Sequence, residues 1–192
     1  MSKKTFICIY FILLACGLVG CGNNSNNTSR SWRGATLLET ENSGEAIVPQ
    51  VAIDASGNAL AVWFQSDGTR YNIWSNRYAV STKTWGSPTL IETDDTGDAL
   101  FPQIAMNASG NAIAVWYQSS NSSYKIYSNR YTASTGTWNT AEQIESNDSA
   151  DAYIPRVAMD AFDNALVVWY QNDSAQPPSI WANRYTDNTG TW

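Results

Sequence analysis

The chain repeats itself three times, and this repeat constrains the fold more than any other feature of the sequence. The segment from Pro49 to Gln65 recurs at 102–118 and, slightly altered, at 155–171. A second segment, Ile73 to Tyr78, recurs at 126–131 and 180–185. Tryptophans at one place of the repeat stand 53, 53 and 54 residues apart: Trp32, Trp85, Trp138 and Trp192. The sequence is therefore a tandem array.

Each copy predicts four short strands, which we term A to D. In the first copy, strand D includes 37–39, strand A covers 49–54, strand B 59–65 and strand C 73–78; strand D includes 90–92 in the second copy and 143–145 in the third. Pro49 is expected at the first residue of strand A, where a missing N–H is harmless. Gly57 suits a positive φ in the turn between A and B, and Asp163 can tolerate it in copy three. Strand B is apolar on both faces and must be covered on both sides.

Such four-stranded units predict an all-β fold of β-propeller blades packed face to face, because one unit of this size cannot stand alone. With its motif Asp-Ala-x-Gly-Asn-Ala-x-x-Val-Trp, the chain resembles β-propeller repeat proteins of bacterial surfaces over residues 32–192. The segments 135–138 and 189–192 also resemble a degenerate Asp-box of sialidase-type propellers. The resemblance implies a propeller fold and raises a sialidase-type activity as one alternative.

The number of blades leaves two alternatives open. Closed propellers have 4 to 8 blades, whereas this sequence supplies three repeats, at about 32–84, 85–137 and 138–192. Either a homodimer completes a six-bladed ring, or the chain is a piece of a longer array. The abrupt stop at Trp192 favours the second.

The first residues predict export and lipid attachment. Lys3 and Lys4 precede an uncharged run at 6–20, which is short for a membrane-spanning helix and typical of a signal peptide. Its end, Leu18 to Cys21, resembles a bacterial lipobox, although a secretory signal that merely contains a cysteine is the alternative. The predicted segments are a signal peptide at 1–20, palmitate or a similar lipid on Cys21, and a polar tether over 21–31. The expected location is the bacterial cell envelope, lipid-anchored to a membrane; Gly22 favours the outer membrane or cell surface.

Composition excludes several function classes. The chain contains no histidine, the usual general base near neutral pH and the commonest metal ligand. Of its three cysteines, the predicted cleavage removes two and acylation uses the third. Without Lys3 and Lys4, 9 basic residues face 17 acidic ones, a net charge of −8. This charge argues against a nucleic-acid partner, which requires a basic surface. No cofactor is expected.

Loops at one end of the blades form the predicted ligand face. In an antiparallel unit, the B–C loops and the D–A loops lie at the same end, and loops on a rigid scaffold often carry function. The D–A loops are acidic, and the B–C loops vary between copies and carry aromatic residues. Solvated loops without a ligand are the alternative. The candidate ligand-binding residues are Asp67, Arg70, Tyr71, Asp94, Asp95, Asp98, Tyr124 and Lys125.

Three further sets allow a structural and a functional interpretation. The acidic loop at 94–98 could bind Ca²⁺, but it lacks EF-hand spacing, and a solvated turn is favoured. The repeated arginines (Arg77, Arg130, Arg184) could match the arginine clamp that a sialidase resemblance implies. They are expected instead to pair with a repeated acid (Glu39, Glu92, Glu145) or with carbonyls. Strand-B tryptophans (Trp63, Trp116, Trp169) are predicted core, whereas strand-C aromatics (Trp74, Tyr127, Trp181) could pack or stack on sugar.

The favoured function is therefore non-catalytic binding of a glycan or a protein at the cell surface. The alternatives are a sialidase-type glycoside hydrolase and a fragment without independent function.

Overall fold

Three antiparallel sheets follow one another along the chain, one for each copy of the repeat. A computed structural model describes residues 34–40, 44–94, 97–120, 123–146, 150–172 and 177–192, and Thr36–Trp192 form one compact unit. Sheet 1 contains β1 (Ala46–Ile53), β2 (Ala59–Ser66), β3 (Tyr71–Ala79), β4 (Thr84–Trp85) and β5 (Thr89–Leu90). Sheet 2 contains β6 (Ala99–Met106), β7 (Ala112–Ser120), β8 (Ser123–Thr132), β9 (Thr137–Trp138) and β10 (Glu142–Gln143). Sheet 3 contains β11 (Asp151–Met159), β12 (Ala165–Asn172) and β13 (Ser179–Tyr185).

The strands run in sequence order within each sheet, so the predicted strands A, B and C are confirmed as neighbours. β4 and β5 both pair with β3, and β9 and β10 both pair with β8. The predicted strand D is therefore two short pieces at the outer edge, and it pairs with strand C of the copy before it. All described residues are in strands, turns or irregular segments, and these ranges contain no helix and hence none able to cross a membrane.

A bulge interrupts strand A in every sheet. The register shifts between Ile47 and Gln50, and at the same place in β6 and β11. The residue before each proline has a positive φ there: 54° at Val48, 52° at Phe101 and 51° at Ile154. The prediction that proline starts strand A is wrong, because the bulge lets proline lie inside the strand without a ladder hydrogen bond.

Glycine at this bulge is expected to stabilise the fold. A β-branched residue at positive φ is strained, and Ile154 is half exposed, so little burial is lost on its removal. We expect Ile154→Gly to raise the free energy of unfolding by about 1 kcal/mol, net of the entropy cost of glycine. Urea unfolding followed by tryptophan fluorescence checks this, with Ile154→Ala as the control that keeps the strain.

The turn between strands A and B explains the repeated Asp-Ala-x-Gly-Asn motif. Asp54 Oδ1 accepts hydrogen bonds from the N–H groups of Ser56 (2.8 Å) and Asn58 (2.9 Å). Asn58 Oδ1 in turn accepts from Val80 N–H at 3.1 Å, which joins this turn to the one after strand C. Gly57 has φ 92° and Asp163 φ 65°, as predicted. The motif is therefore a structural turn.

The core lies between successive sheets and centres on strand B. Trp63, Trp116 and Trp169 are 4%, 0% and 4% exposed, which confirms them as core. Each indole Nε1 donates to the glutamine two residues on, at 2.9, 2.9 and 3.0 Å. β2 and β7 are buried on both faces, as expected, whereas β12 is buried on one face only. Within the described ranges the three sheets do not close into a ring.

Candidate functional site

The loops between strands B and C and those between successive sheets meet at one end of the sheets, which we call the BC end. Glu45 and Asp98 each lie just before or at the start of a strand A, and their carbonyls accept from Ser66 N–H (3.1 Å) and Ser119 N–H (3.0 Å). Both loop types are therefore tied together at this end, as the antiparallel order predicts. The opposite end carries the A–B turns and is called the AB end.

A continuous row of aromatic rings crosses all three sheets near the BC end. Neighbouring rings have centroids 5.1 to 5.6 Å apart, in edge-to-face, tilted and stacked arrangements. Such spacings are typical of attractive aromatic pairs. We call this set the aromatic row; its members are Tyr71, Phe64, Phe101, Tyr117, Tyr124, Tyr153 and Tyr170.

The bulge of strand A brings this row to the surface. Phe101 stands at the bulge of β6, is 43% exposed, and stacks on Tyr117 with their ring planes 14° apart. Tyr117 itself is only 9% exposed. Bulges often re-aim a side chain beside a functional site, and backbone strain concentrates at such sites. The strained backbone at Phe101 therefore exposes its ring to solvent. The inner face of that ring packs on the buried ring of Tyr117.

Carboxylates stand beside the row at equivalent places in successive sheets. Asp98 Oδ1 accepts from Tyr71 N–H and Asp151 Oδ1 from Tyr124 N–H, each at 2.9 Å. Glu45, the first member of this series, accepts from the Tyr71 hydroxyl through Oε1 at 2.7 Å. Asp98 and Asp151 thereby fix the start of strand C in the preceding sheet.

Two tyrosines of the row, Tyr71 and Tyr153, are held in their neutral form. Burial, together with the negative charge of Asp151, raises the pKa of Tyr153 to about 12. The hydrogen bond to Glu45 raises the pKa of Tyr71 above its ordinary value. Both phenols therefore keep their proton over the physiological range, and the Tyr71 hydroxyl donates its proton to Glu45.

The candidate residues on the first B–C loop mainly organise that loop. Asp67 Oδ1 accepts from the N–H and the hydroxyl of Thr69, both at 2.7 Å, and from Arg70 N–H at 2.9 Å. Asp67 also donates its own N–H to the Arg70 carbonyl at 3.0 Å. Of these candidates, the structure brings Tyr71 and Asp98 into direct contact, and Tyr124 joins the aromatic row.

The remaining candidates lie elsewhere. Lys125 is buried beneath the BC end, with its Nζ 3.5 Å from Glu145 Oε1. Asp94 Oδ2 accepts from the Tyr127 hydroxyl at 3.2 Å, so this carboxylate is engaged by strand C of sheet 2. Asp95 lies outside the described residues. Among those that are described, no group of three acids or cysteines stands close enough to hold a metal ion.

Acid is expected to destabilise the turns that Asp67 and Asp160 hold. A change of pH near neutrality is not expected to change the stability. Donors from Thr69 and Arg70 hold the pKa of Asp67 far below its usual value, and the Asn164 side chain lowers the pKa of Asp160. A lowered folded-state pKa adds stability above the unfolded value near 3.9 that is lost as pH falls through the folded value. The chain has no histidine. We expect equal urea midpoints at pH 6 and 8 and a lower one at pH 3, with a smaller drop in Asp67→Asn.

The repeated arginines lie at the AB end, away from the row. The Arg130 guanidinium sits 4.4 Å from the centre of the Tyr185 ring, and its Nη2 is 2.8 Å from Asp187 Oδ1. Its Nη1 also donates to the Tyr185 hydroxyl. The arginine therefore joins sheet 2 to sheet 3, as the structural interpretation expects. The expected partner was wrong: Asp187 takes the place of Glu145, which pairs with Lys125 instead.

Sequence reasoning missed most of the aromatic row. Phe64, Tyr117 and Tyr170 occur at one place of strand B, where alternation marks them only as core. Phe101 and Tyr153 occupy different places of the repeat, and the copies there carry aliphatic residues. A repeat signature therefore does not reveal them; the available signal is the excess of Phe and Tyr just after the B–C loops and before the prolines.

The fold is an all-β array of antiparallel sheets with propeller-like solved neighbours. One of these, a sialidase from Hadza microbial sources (Hz136), is 12% identical, with a TM-score of 0.61 over 77% of this chain and 36% of that one. An endo-arabinase from Bacteroides thetaiotaomicron VPI-5482 is 16% identical, with a TM-score of 0.51 over 78% and 59%. No family model and no curated protein sequence matches the chain. The chain thus spans about a third to three fifths of these structures, and the likeness shows the fold alone.

Proposed function

We propose that this chain is a lipid-anchored protein of the bacterial cell envelope whose three sheets are propeller blades that bind carbohydrate without catalysis. The observation that carries the proposal is the aromatic row at the BC end, with its exposed Phe101 and adjacent carboxylates. The two solved structures named above bear the names of carbohydrate-active enzymes, which supports carbohydrate over protein as the ligand.

The chemistry of the row suits a sugar. A pyranose ring has an apolar C–H face that packs on an aromatic ring, and hydroxyls at its edge that need hydrogen-bond partners. Phe101 offers the exposed ring, and the phenol oxygens of Tyr71 and Tyr153, whose protons go to Glu45 and Asp151, can accept from sugar hydroxyls at the same end. Apolar surface with a few placed polar groups is the usual composition of small-molecule sites.

Several features disfavour hydrolysis as the activity. Most glycosidases need one free carboxylic acid and one free carboxylate facing each other across the bond, whereas sialidases use a Tyr nucleophile in place of the carboxylate. Asp98 and Asp151 instead accept backbone hydrogen bonds that fix strands. The repeated Arg130 is bonded to Tyr185 and Asp187 at the AB end, so it does not support a carboxylate clamp at the BC end. The sialidase-type alternative therefore ranks second.

A glycan array probed with the detergent-solubilised full-length chain tests the proposal. We expect binding to a defined set of glycans and no release of fluorophore from sialoside or arabinoside substrates. Turnover that disappears in Arg130→Ala would replace the proposal with the hydrolase alternative. Silence on the array from a folded sample would refute carbohydrate binding.

Lipid attachment predicts a large change in location from one substitution. Residues 1–33 lie outside the described part of the chain, so this element depends on the sequence alone. Cys21→Ser is expected to abolish labelling with radioactive palmitate and to move most of the protein out of the lipid-anchored membrane fraction. Cys16→Ser, inside the predicted signal peptide, is the matched control and is expected to label normally. Equal labelling of both variants would contradict the anchor.

A further inference from the structure

Two apolar faces of the domain are uncovered, one on sheet 1 and one on sheet 3. Val51 and Ile53 of β1 are 67% and 66% exposed, and we call them the leading face. Leu166 of β12 and Ile180 of β13 are 51% and 77% exposed, and we call them the trailing face. Exposed apolar surface of this kind indicates an interaction site.

The interfaces inside the chain show which surface fits the trailing face. Leu60, the equivalent of Leu166 in sheet 1, is 1% exposed and packs with Ile104 and Met106 of sheet 2. Ile104 and Met106 are the sheet 2 equivalents of Val51 and Ile53. Sheet 2 meets sheet 3 through the same places of the repeat. The leading and trailing faces are therefore the two halves of an interface that already occurs twice.

The polar contact of that interface is also divided between the two faces, with its arginine on one and its tyrosine on the other. Arg130 covers the ring of Tyr185, which is 2% exposed. Arg184, the equivalent of Arg130, is exposed, and Tyr78, the equivalent of Tyr185, is only partly buried. A trailing face placed on a leading face would set Arg184 against Tyr78, as Arg130 is set against Tyr185.

The outer strand of a sheet is missing at one face, and a segment that matches it in sequence lies at the other. In sheets 1 and 2, strand C pairs at its outer edge with β5 or β10, whereas β13 has only β12 as a partner among the described strands. Residues 36–40 occupy the position in the repeat that β5 occupies in the next copy, but they form no strand. They already sit where the outer strand of a preceding sheet would lie, because the Leu38 carbonyl accepts from Asn76 Nδ2 at 2.9 Å, as the Ile91 and Ile144 carbonyls accept from Asn129 and Asn183.

We infer that a second copy of this chain covers both faces, so that two chains close a ring of six sheets. Residues 36–40 of each copy pair with the outer edge of β13 in the other, an addition of a strand to an exposed edge. Six blades fall within the range of 4 to 8 found in closed propellers. The partner follows from the repeat, since the second copy offers the surface that the internal interfaces use. It does not depend on carbohydrate binding.

The register of this pairing can be read from sheet 1. Leu90 lies opposite Trp74, and Ile91 N–H donates to the Ile73 carbonyl at 2.9 Å. The same register places Leu37 of one copy opposite Trp181 of the other, at a pair without mutual hydrogen bonds, where cross-strand side chains are closest. Leu37 is 73% and Trp181 48% exposed, so cysteines at both positions should be tolerated.

Disulfide trapping in the full-length chain tests the inference. Leu37→Cys/Trp181→Cys, oxidised mildly in the bacterial envelope, is expected to run mainly as a covalent dimer on a non-reducing gel. The control Leu37→Cys/Ile180→Cys, with its second cysteine on the opposite side of β13, should give at least fivefold less dimer. Two singly substituted chains expressed together should also give a dimer, whereas either one alone should not.

Each other outcome decides against the ring. A ladder of higher multiples means that the copies join in open chains rather than in a closed pair. Equal dimer yields from the test and control pairs mean that the contact lacks this register. A monomer, in a sample whose circular dichroism shows the native sheet signal, means that something other than a second copy covers the faces.

Discussion

Trp116→Ala is expected to lower the free energy of unfolding by about 4 kcal/mol, the range for large aromatic side chains removed from a core. Trp116 is fully buried, stacks on Tyr127 with centroids 6.3 Å apart, and donates Nε1 to Gln118 at 2.9 Å. Its removal leaves a cavity between sheets 1 and 2 and an unpaired glutamine oxygen. Urea unfolding at equilibrium measures the loss.

Trp116→Phe is the matched control. It keeps a ring against Tyr127 but removes the indole N–H, so we expect it to lose about half as much stability, from the smaller volume and the lost hydrogen bond. If Trp116→Ala cost less than 1 kcal/mol, the interface between the first two sheets would not be the core described above.

Lys125→Met is expected to cost about 3 kcal/mol, because it leaves the Glu145 carboxylate buried without its cation. The two side chains are 4% and 1% exposed, with Nζ and Oε1 3.5 Å apart. Glu145 also accepts a hydrogen bond from Gln143 Nε2 at 3.1 Å, which reduces the loss but does not replace the positive charge. Thermal or urea unfolding of the variant measures this cost.

The double variant Lys125→Met/Glu145→Leu provides the decisive comparison. Replacing both members of a buried ion pair by apolar residues of similar size is often neutral, whereas removing one member is not. We therefore expect the double variant to recover most of the lost stability. A double variant as unstable as the sum of Lys125→Met and Glu145→Leu would show that the two groups act independently.

The strands of this fold could be predicted from the sequence because their signals are local. The segment Ala59–Ser66 is an apolar run preceded by the Gly57 turn, and both features depend only on neighbouring residues. Each of these signals occurs in all three copies of the repeat. The buried Trp63 and its equivalents followed from the same pattern.

The bulge and the aromatic row could not be predicted in this way. Val48, Phe101 and Ile154 share a positive φ, yet nothing in their side chains favours it. The row arises only when successive sheets bring Phe64 next to Phe101 and Tyr117 next to Tyr153. Lys125 was expected in a ligand loop because local sequence does not show its partner. Its burial depends on Glu145, 20 residues further along the chain.

Isothermal titration of a bound glycan against wild type, Phe101→Ala and Val80→Ala tests the central claim most directly. Phe101 is the exposed ring of the aromatic row, and Val80, 38% exposed, stands at the AB end. Loss of one stacking ring, worth about 1.4 kcal/mol or more, should weaken Kd at least tenfold in Phe101→Ala. Val80→Ala should bind like wild type. Equal affinity in Phe101→Ala and wild type, with both proteins folded, would contradict carbohydrate binding at the aromatic row.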